Sequence, residues 1–187
     1  MKLASSFGVG NRSVLRSVSE DDPRRVCYIH TGQIGRLPGA SIASPPSADF
    51  LRKAGVVAPF NDPERYFDPA SRKVARWLST MGIESLSVRD SVLTDVKTPD
   101  GVLADGSATW EVKAPQTPKG IARGFEHARR QSPCLILWTQ AFELSCENAV
   151  MALERQLPKW GADYREVIII LGNGTKEYVH WIRERYE

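Results

Sequence analysis

The stretch that decides the fold runs Thr98-Pro99-Asp100-Gly101-Val102-Leu103-Ala104-Asp105-Gly106-Ser107-Ala108-Thr109-Trp110-Glu111-Val112-Lys113. Asp-Gly between two short segments of strand-forming residues is a hairpin signal, because both residues tolerate the backbone of a tight turn. Strands are expected over residues 102–104 and 107–113. With Asp105-Gly106 as a two-residue turn, Ala104 faces Ser107 and opposed residue numbers sum to 211. Asp100 then faces Glu111. Opposed residues share a sheet face, with Cβ atoms about 4.5–5.5 Å apart. Lys113 lies two positions beyond Glu111 and shares that face. Trp110 and Val112 point the other way, into a core. Two carboxylates and an amine therefore meet at the open end of the hairpin.

The flanking sequence supplies the rest of an α/β (α+β) fold with a mixed sheet and covering helices. Upstream, Asp68-Pro69 reads as an N-cap with proline in the first turn. Ala70, Val74, Trp77, Leu78 and Met81 fall on one helical face, and Gly82 stops the helix. Residues 83–88 follow as a strand. Downstream, a helix is expected over 119–131, with Ile121, Phe125 and Ala128 inward, and a buried strand over 134–139. Phe142, Cys146, Ala149, Val150, Leu153 and Leu157 mark a further helix ended by Pro158. Residues 165–171 form an apolar strand, Gly172-Asn173-Gly174 turns the chain, and Tyr178-Val179-His180-Trp181 fits either a strand or a helix. Before residue 60 the chain is rich in Ser, Gly and Pro, and only residues 26–29 suggest a strand. This predicts a loop-rich leader or connector over 1–60 and a single domain over 61–187.

Length and composition set the class. The 187 residues suffice for a core without disulfide staples, and 42% hydrophobic with 25% charged residues exclude disordered and collagenous chains. The net charge of +3 permits an acidic partner without demanding one. Cys27, Cys134 and Cys146 have no CxxC spacing, so they are expected to be reduced, packing-type thiols. Apolar runs reach five residues at 134–138 and at 167–171. A membrane-spanning segment is therefore not expected.

Like charges facing each other on a sheet are destabilising unless compensated. A divalent cation compensates them, and Mg²⁺ takes one or two carboxylates together with waters and phosphate oxygens. Asp100, Glu111 and the Val112 carbonyl are the candidate metal ligands. Asp100, Glu111 and Lys113 are the candidate catalytic set, with Lys113 either positioning or deprotonating a water, or stabilising charge on a phosphate. For Glu-x-Lys alone, a solvated strand face is the ordinary reading. The facing Asp100 and the basic helix that follows favour chemistry. Lys119, Arg123 and Arg130 lie on that helix's polar face, with Arg129 and Gln131 flanking it. All five are candidate substrate-binding residues, the basic ones as phosphate contacts. His127 lies at the edge of the same face. Trp160, Trp181 and Tyr186 are candidates for base stacking, with packing as the alternative.

Pro99-Asp100 … Glu111-Val112-Lys113, in the order helix, strand, hairpin, helix, strand, resembles the PD-(D/E)XK nuclease superfamily over residues 68–139. Thr98-Pro99-Asp100-Gly101-Val102-Leu103 with Trp110-Glu111-Val112-Lys113-Ala114-Pro115, and Val167-Ile168-Ile169-Ile170 near the end, resemble the C-terminal nuclease domains of contact-dependent growth inhibition (CdiA-type) and related bacterial polymorphic toxins. The resemblance implies a restriction-endonuclease-like core and a metal-dependent endonuclease, an RNase toxin with tRNA as substrate. It also implies action in a bacterial cytoplasm after delivery into a target cell, and a cognate immunity protein. A DNA endonuclease with the same core, or a non-catalytic nucleic-acid-binding domain, are the alternatives. Many members of the superfamily add an acidic residue on the first core helix. Residues 70–81 carry none, and Glu84 is the nearest substitute.

Overall fold

The computed structural model describes residues 26–28, 45–90, 96–172 and 177–183. In chain order the elements are β1 (Val26–Tyr28), α1 (Ala48–Lys53), α2 (Pro69–Thr80), β2 (Ser85–Ser87), β3 (Gly101–Leu103), β4 (Thr109–Lys113), α3 (Gly120–Ala128), β5 (Cys134–Trp138), α4 (Cys146–Trp160), a 3-10 turn (Gly161–Asp163), β6 (Glu166–Leu171) and β7 (Glu177–Ile182). The strands form one mixed sheet in the order β1-β7-β6-β5-β4-β3-β2. β4, β5 and β6 are parallel, whereas β2–β3, β3–β4 and β6–β7 are antiparallel. The protein is thus an α+β sheet protein with helices on both faces, as the element order predicts.

The parallel centre explains the apolar runs. Strands covered on both faces need no polar alternation, and Cys134–Trp138 is buried at every position. The β4–α3–β5 and β5–α4–β6 crossovers place α3 and α4 on the same face. There Ile121, Phe125, Leu153 and Leu157 pack on Leu135, Leu137, Val167 and Ile169. On the other face Val74, Trp77 and Leu78 of α2 pack on Trp110, Val112, Ile136 and Ile170. The α2 cap forms as its sequence predicts, with the Asp68 carboxylate accepting from the Ser71 N–H at 2.7 Å.

Several local expectations change. Tyr178-Val179-His180-Trp181 lies in a strand: Val179 and Trp181 are buried with the α3–α4 core, and Tyr178 packs on the opposite layer. Pro158 does not end α4 at once: proline brings no N–H for the Glu154 carbonyl, and the helix closes two residues later at Trp160. Phe142 precedes the Ser145 cap yet still packs on the core. Cys146 is in a disulfide, so the three thiols are not all reduced. Spacing along the chain says little about pairing that the fold brings together.

Residues 48–58 are also more structured than their composition suggests. Ser47 caps α1, accepting from the Phe50 N–H at 3.2 Å. Leu51 and Val56, both fully buried, form one cluster with Val88 and Val102. Arg52 donates to the Ala104 carbonyl at 2.9 Å, across the turn of the β3–β4 hairpin. A division at residue 60 therefore runs through this cluster. Among the described residues, no helix is long and apolar enough to cross a membrane.

Candidate active site

The hairpin keeps the expected register with a different turn. Gly101 pairs with Trp110 and Val102 with Thr109, so opposed numbers sum to 211. Ala104 and Ser107 do not pair. The Ala104 N–H goes to the Glu84 carbonyl, and the Asp105 carboxylate takes the Ser107 N–H at 2.8 Å. Leu103 instead donates to the Ala108 carbonyl at 2.9 Å, which closes a four-residue loop over 104–107. The longer loop is symmetric about the same centre, so Asp100 still arrives opposite Glu111.

Gly101 and Gly124 allow close packing on the two faces of the hairpin beside the site. A Cβ on Gly101 would overlap the Trp110 indole, which lies over the β3 backbone next to Asp100. A Cβ on Gly124 would lie 2.9 Å from a Leu137 methyl and 3.4 Å from the Lys113 Cβ. The absence of a side chain there lets α3 sit close on β4 behind the lysine.

The carboxylates interlock. The Asp100 N–H donates to Glu111 Oε2 at 3.1 Å, and the Val112 N–H donates to Asp100 Oδ2 at 2.7 Å. Lys113 Nζ donates to Glu111 Oε1 and, at 3.1 Å, to Gln131 Oε1. Gln131 Nε2 in turn donates to the Thr98 carbonyl at 3.1 Å. Glu111 is 1% exposed. Burial, and then the Asp100 charge, push its carboxyl up to about 8, against the pull of Lys113. Burial likewise raises Asp100, opposed by the Val112 N–H and Lys113. Each carboxylate oxygen in these bonds keeps further acceptor capacity.

This donor set fits a hard divalent cation: the charge of the half-buried Asp100 raises the carboxyl of the buried Glu111, and positive charge between them removes that conflict. In an antiparallel pair the N–H and C=O of one residue leave the strand on the same side. The Val112 carbonyl therefore faces the edge where Asp100 meets its N–H. Among the described residues, no group of three or more His, Cys, Asp or Glu side chains is placed to hold a metal.

Other candidates fall in different places. Lys119, Arg123 and Arg130 are exposed along α3 and its flanks, with His127 exposed on the same side. Arg129 turns away from that stripe. Its guanidinium lies 3.6 Å from the Asp163 carboxylate and 4.7 Å over the Trp160 ring, and Lys159 lies 4.5 Å from the same ring. Trp160 is thus already stacked with cations, and Trp181 is buried in the core. Tyr186 and residues 173–176 lie outside the described residues. Cys134 is a free thiol that burial and Glu166 push up to about 11, the reverse of an activated nucleophile.

The sequence does not show that an acid of the α2 region lies near Asp100. Glu84 accepts from Ser79 at 2.8 Å, and its backbone joins Ala104 at the turn end of the hairpin, away from Asp100. Asp68, the α2 cap, is close enough that its charge raises Asp100. In the sequence, capping already accounts for an acid at that position, so nothing there points to a second role.

No family model and no curated protein matches this chain. Among solved structures the chain is similar to a CdiA-CT/CdiI toxin and immunity complex from Burkholderia pseudomallei. The identity is 14% and the TM-score 0.45, over 60% of this chain and 82% of that one.

Proposed function

We propose that this protein is a metal-dependent nuclease of the PD-(D/E)XK type, an RNase toxin that hydrolyses phosphodiester bonds in tRNA. The observation that supports it best is the meeting of Asp100, Glu111 and Lys113 at the open end of one hairpin, with Glu111 buried and bonded to both others. Asp100, Glu111 and the Val112 carbonyl would hold Mg²⁺ or another divalent cation. When bound, such an ion polarises the phosphoryl group and lowers the pKa of a coordinated water. Lys113, held on Glu111, presents its remaining donor capacity to the attacking water or to a phosphate oxygen as charge develops there. The exposed Lys119, Arg123 and Arg130 stripe binds neighbouring phosphates and sets the register of the backbone, without reading bases.

The choice of tRNA rests on the resemblance carried by the hairpin motif. So do action in a target bacterium's cytoplasm and a cognate immunity protein as partner. The deciding experiment incubates the full chain with total tRNA, ribosomal RNA and duplex DNA, each with Mg²⁺ or with EDTA. Mg²⁺-dependent cleavage of tRNA is expected. Cleavage confined to duplex DNA would keep the chemistry and overturn the substrate. Cleavage undiminished by EDTA would overturn the metal.

A further inference from the structure

We propose that Gln131 is a positioning residue of this centre: its side-chain amide spans Lys113 and the Thr98 carbonyl, holding the lysine against Glu111 and the Pro99-Asp100 segment against the sheet at once. Both bonds are 3.1 Å. The orientation of the amide follows from its partners. A lysine ammonium only donates and a backbone carbonyl only accepts, so the amide oxygen faces Lys113 and the nitrogen faces Thr98.

The support beneath Gln131 is stiff. Its N–H donates to the Ala128 carbonyl at 2.8 Å. The next residue, Ser132, is fully buried. Its hydroxyl donates to the Thr109 carbonyl at 2.8 Å and accepts from the Cys134 N–H at 3.0 Å. The turn after α3 is therefore fastened to the start of β4. A lysine side chain has many rotamers to lose, and a second acceptor narrows where its ammonium can sit. Thr98 is two residues before Asp100, so fixing its carbonyl steadies the Asp100 bonds to Glu111 and Val112. With both ends of the amide engaged, Gln131 acts through Lys113 and Asp100 and does not touch the substrate. This geometry stands by itself, whereas its effect on turnover rests on the nuclease reading above.

Three measurements on the full chain test it. They are competitive acetylation of Lys113 by acetic anhydride, hydrogen exchange at the Asp100 and Val112 amides, and single-turnover cleavage of total tRNA with Mg²⁺. In Gln131→Leu, acetylation and exchange should both rise, and the bound-state rate should fall roughly tenfold to a hundredfold with tRNA affinity unchanged. Gln131→Glu keeps an acceptor for Lys113 but sets a carboxylate oxygen against the Thr98 carbonyl. There Lys113 should stay protected while exchange at Asp100 rises. A folded Gln131→Leu with wild-type acetylation and exchange overturns the proposal, as does a weaker tRNA affinity with an unchanged bound-state rate. Should Gln131→Leu fail to fold, Gln131→Glu decides alone: exchange at Asp100 left at the wild-type level overturns the proposal. If the wild-type protein cuts none of the three nucleic acids, the nuclease reading fails, and acetylation and exchange still decide the role of Gln131.

Discussion

Glu111 is an acid in a place that packing alone would give to an apolar side chain. Its folded-state value near 8 lies well above that of an exposed glutamate. The folded state therefore binds the proton more tightly than the unfolded state does. The stability this contributes is fully present below the unfolded value and is lost as pH rises through about 8. Asp100 is shifted in the same direction. Without a divalent cation, the protein should lose stability on the order of a few kcal/mol between mildly acidic and mildly alkaline pH. Mg²⁺ should restore most of it at the alkaline end. Thermal unfolding across that range, with and without Mg²⁺, measures both effects. Glu111→Gln removes the titration. It should flatten the metal-free pH profile while lowering cleavage by roughly 10²–10³-fold or more. A Glu111→Gln protein that cuts at the wild-type rate would remove Glu111 from the catalytic set.

At the scale of elements, the β3–β4 hairpin and α3 carry the site between them. Trp110 occupies the space over Gly101 on the face opposite the carboxylates. Gly101→Ala should push the indole aside, cost about 1–3 kcal/mol and displace Asp100 next to it. Chemical denaturation reads the first effect and cleavage rate the second; an unchanged midpoint would show that the ring shifts freely. On α3, simultaneous Ala substitution of Lys119, Arg123 and Arg130 should weaken binding more than bound-state chemistry. It should also reduce the steepness of the log–log salt dependence by roughly 0.7–0.9 for each phosphate that the protein no longer neutralises. An unchanged salt slope would make the stripe an ordinary solvated face. Arg129 does not belong with these three, because its charge faces Asp163 and its plane lies over Trp160.

For the whole molecule, the question is where the folded unit begins. Leu51 and Val56 are buried against Val88 and Val102, and Arg52 reaches the hairpin turn. A chain starting at residue 61 would expose one side of β2 and β3, whereas one starting at residue 45 retains the cluster. Leu51→Ala in the full chain should cost about 2–5 kcal/mol, read by urea denaturation. The chain from residue 61 should unfold at clearly lower temperature than the chain from residue 45. Equal stability of the two would support a nuclease unit of residues 61–187 and leave α1 as an accessory.

Hairpin register, the α2 cap and the buried central strands were legible because each rests on neighbours in the chain. A two-residue and a four-residue loop centred between Asp105 and Gly106 leave the same pairing, so alternation with a period of two places Asp100 and Glu111 on one face in either case. Asp68-Pro69 forms its cap from atoms within three residues. The unbroken apolar run at β5 can only be buried on both sides. The rest needed the tertiary structure. Gln131 meets Lys113 from 18 residues away and Thr98 from 33, a junction made by the crossover of α3 over the sheet. Asp68 reaches the electrostatic environment of Asp100 only because α2 begins beside it, and Arg129 leaves the basic stripe only because α4 brings Trp160 under it. Local pattern sets which face a side chain takes, because covalent geometry imposes the period. Which distant groups meet on that face depends on how the layers pack, and no local period encodes that.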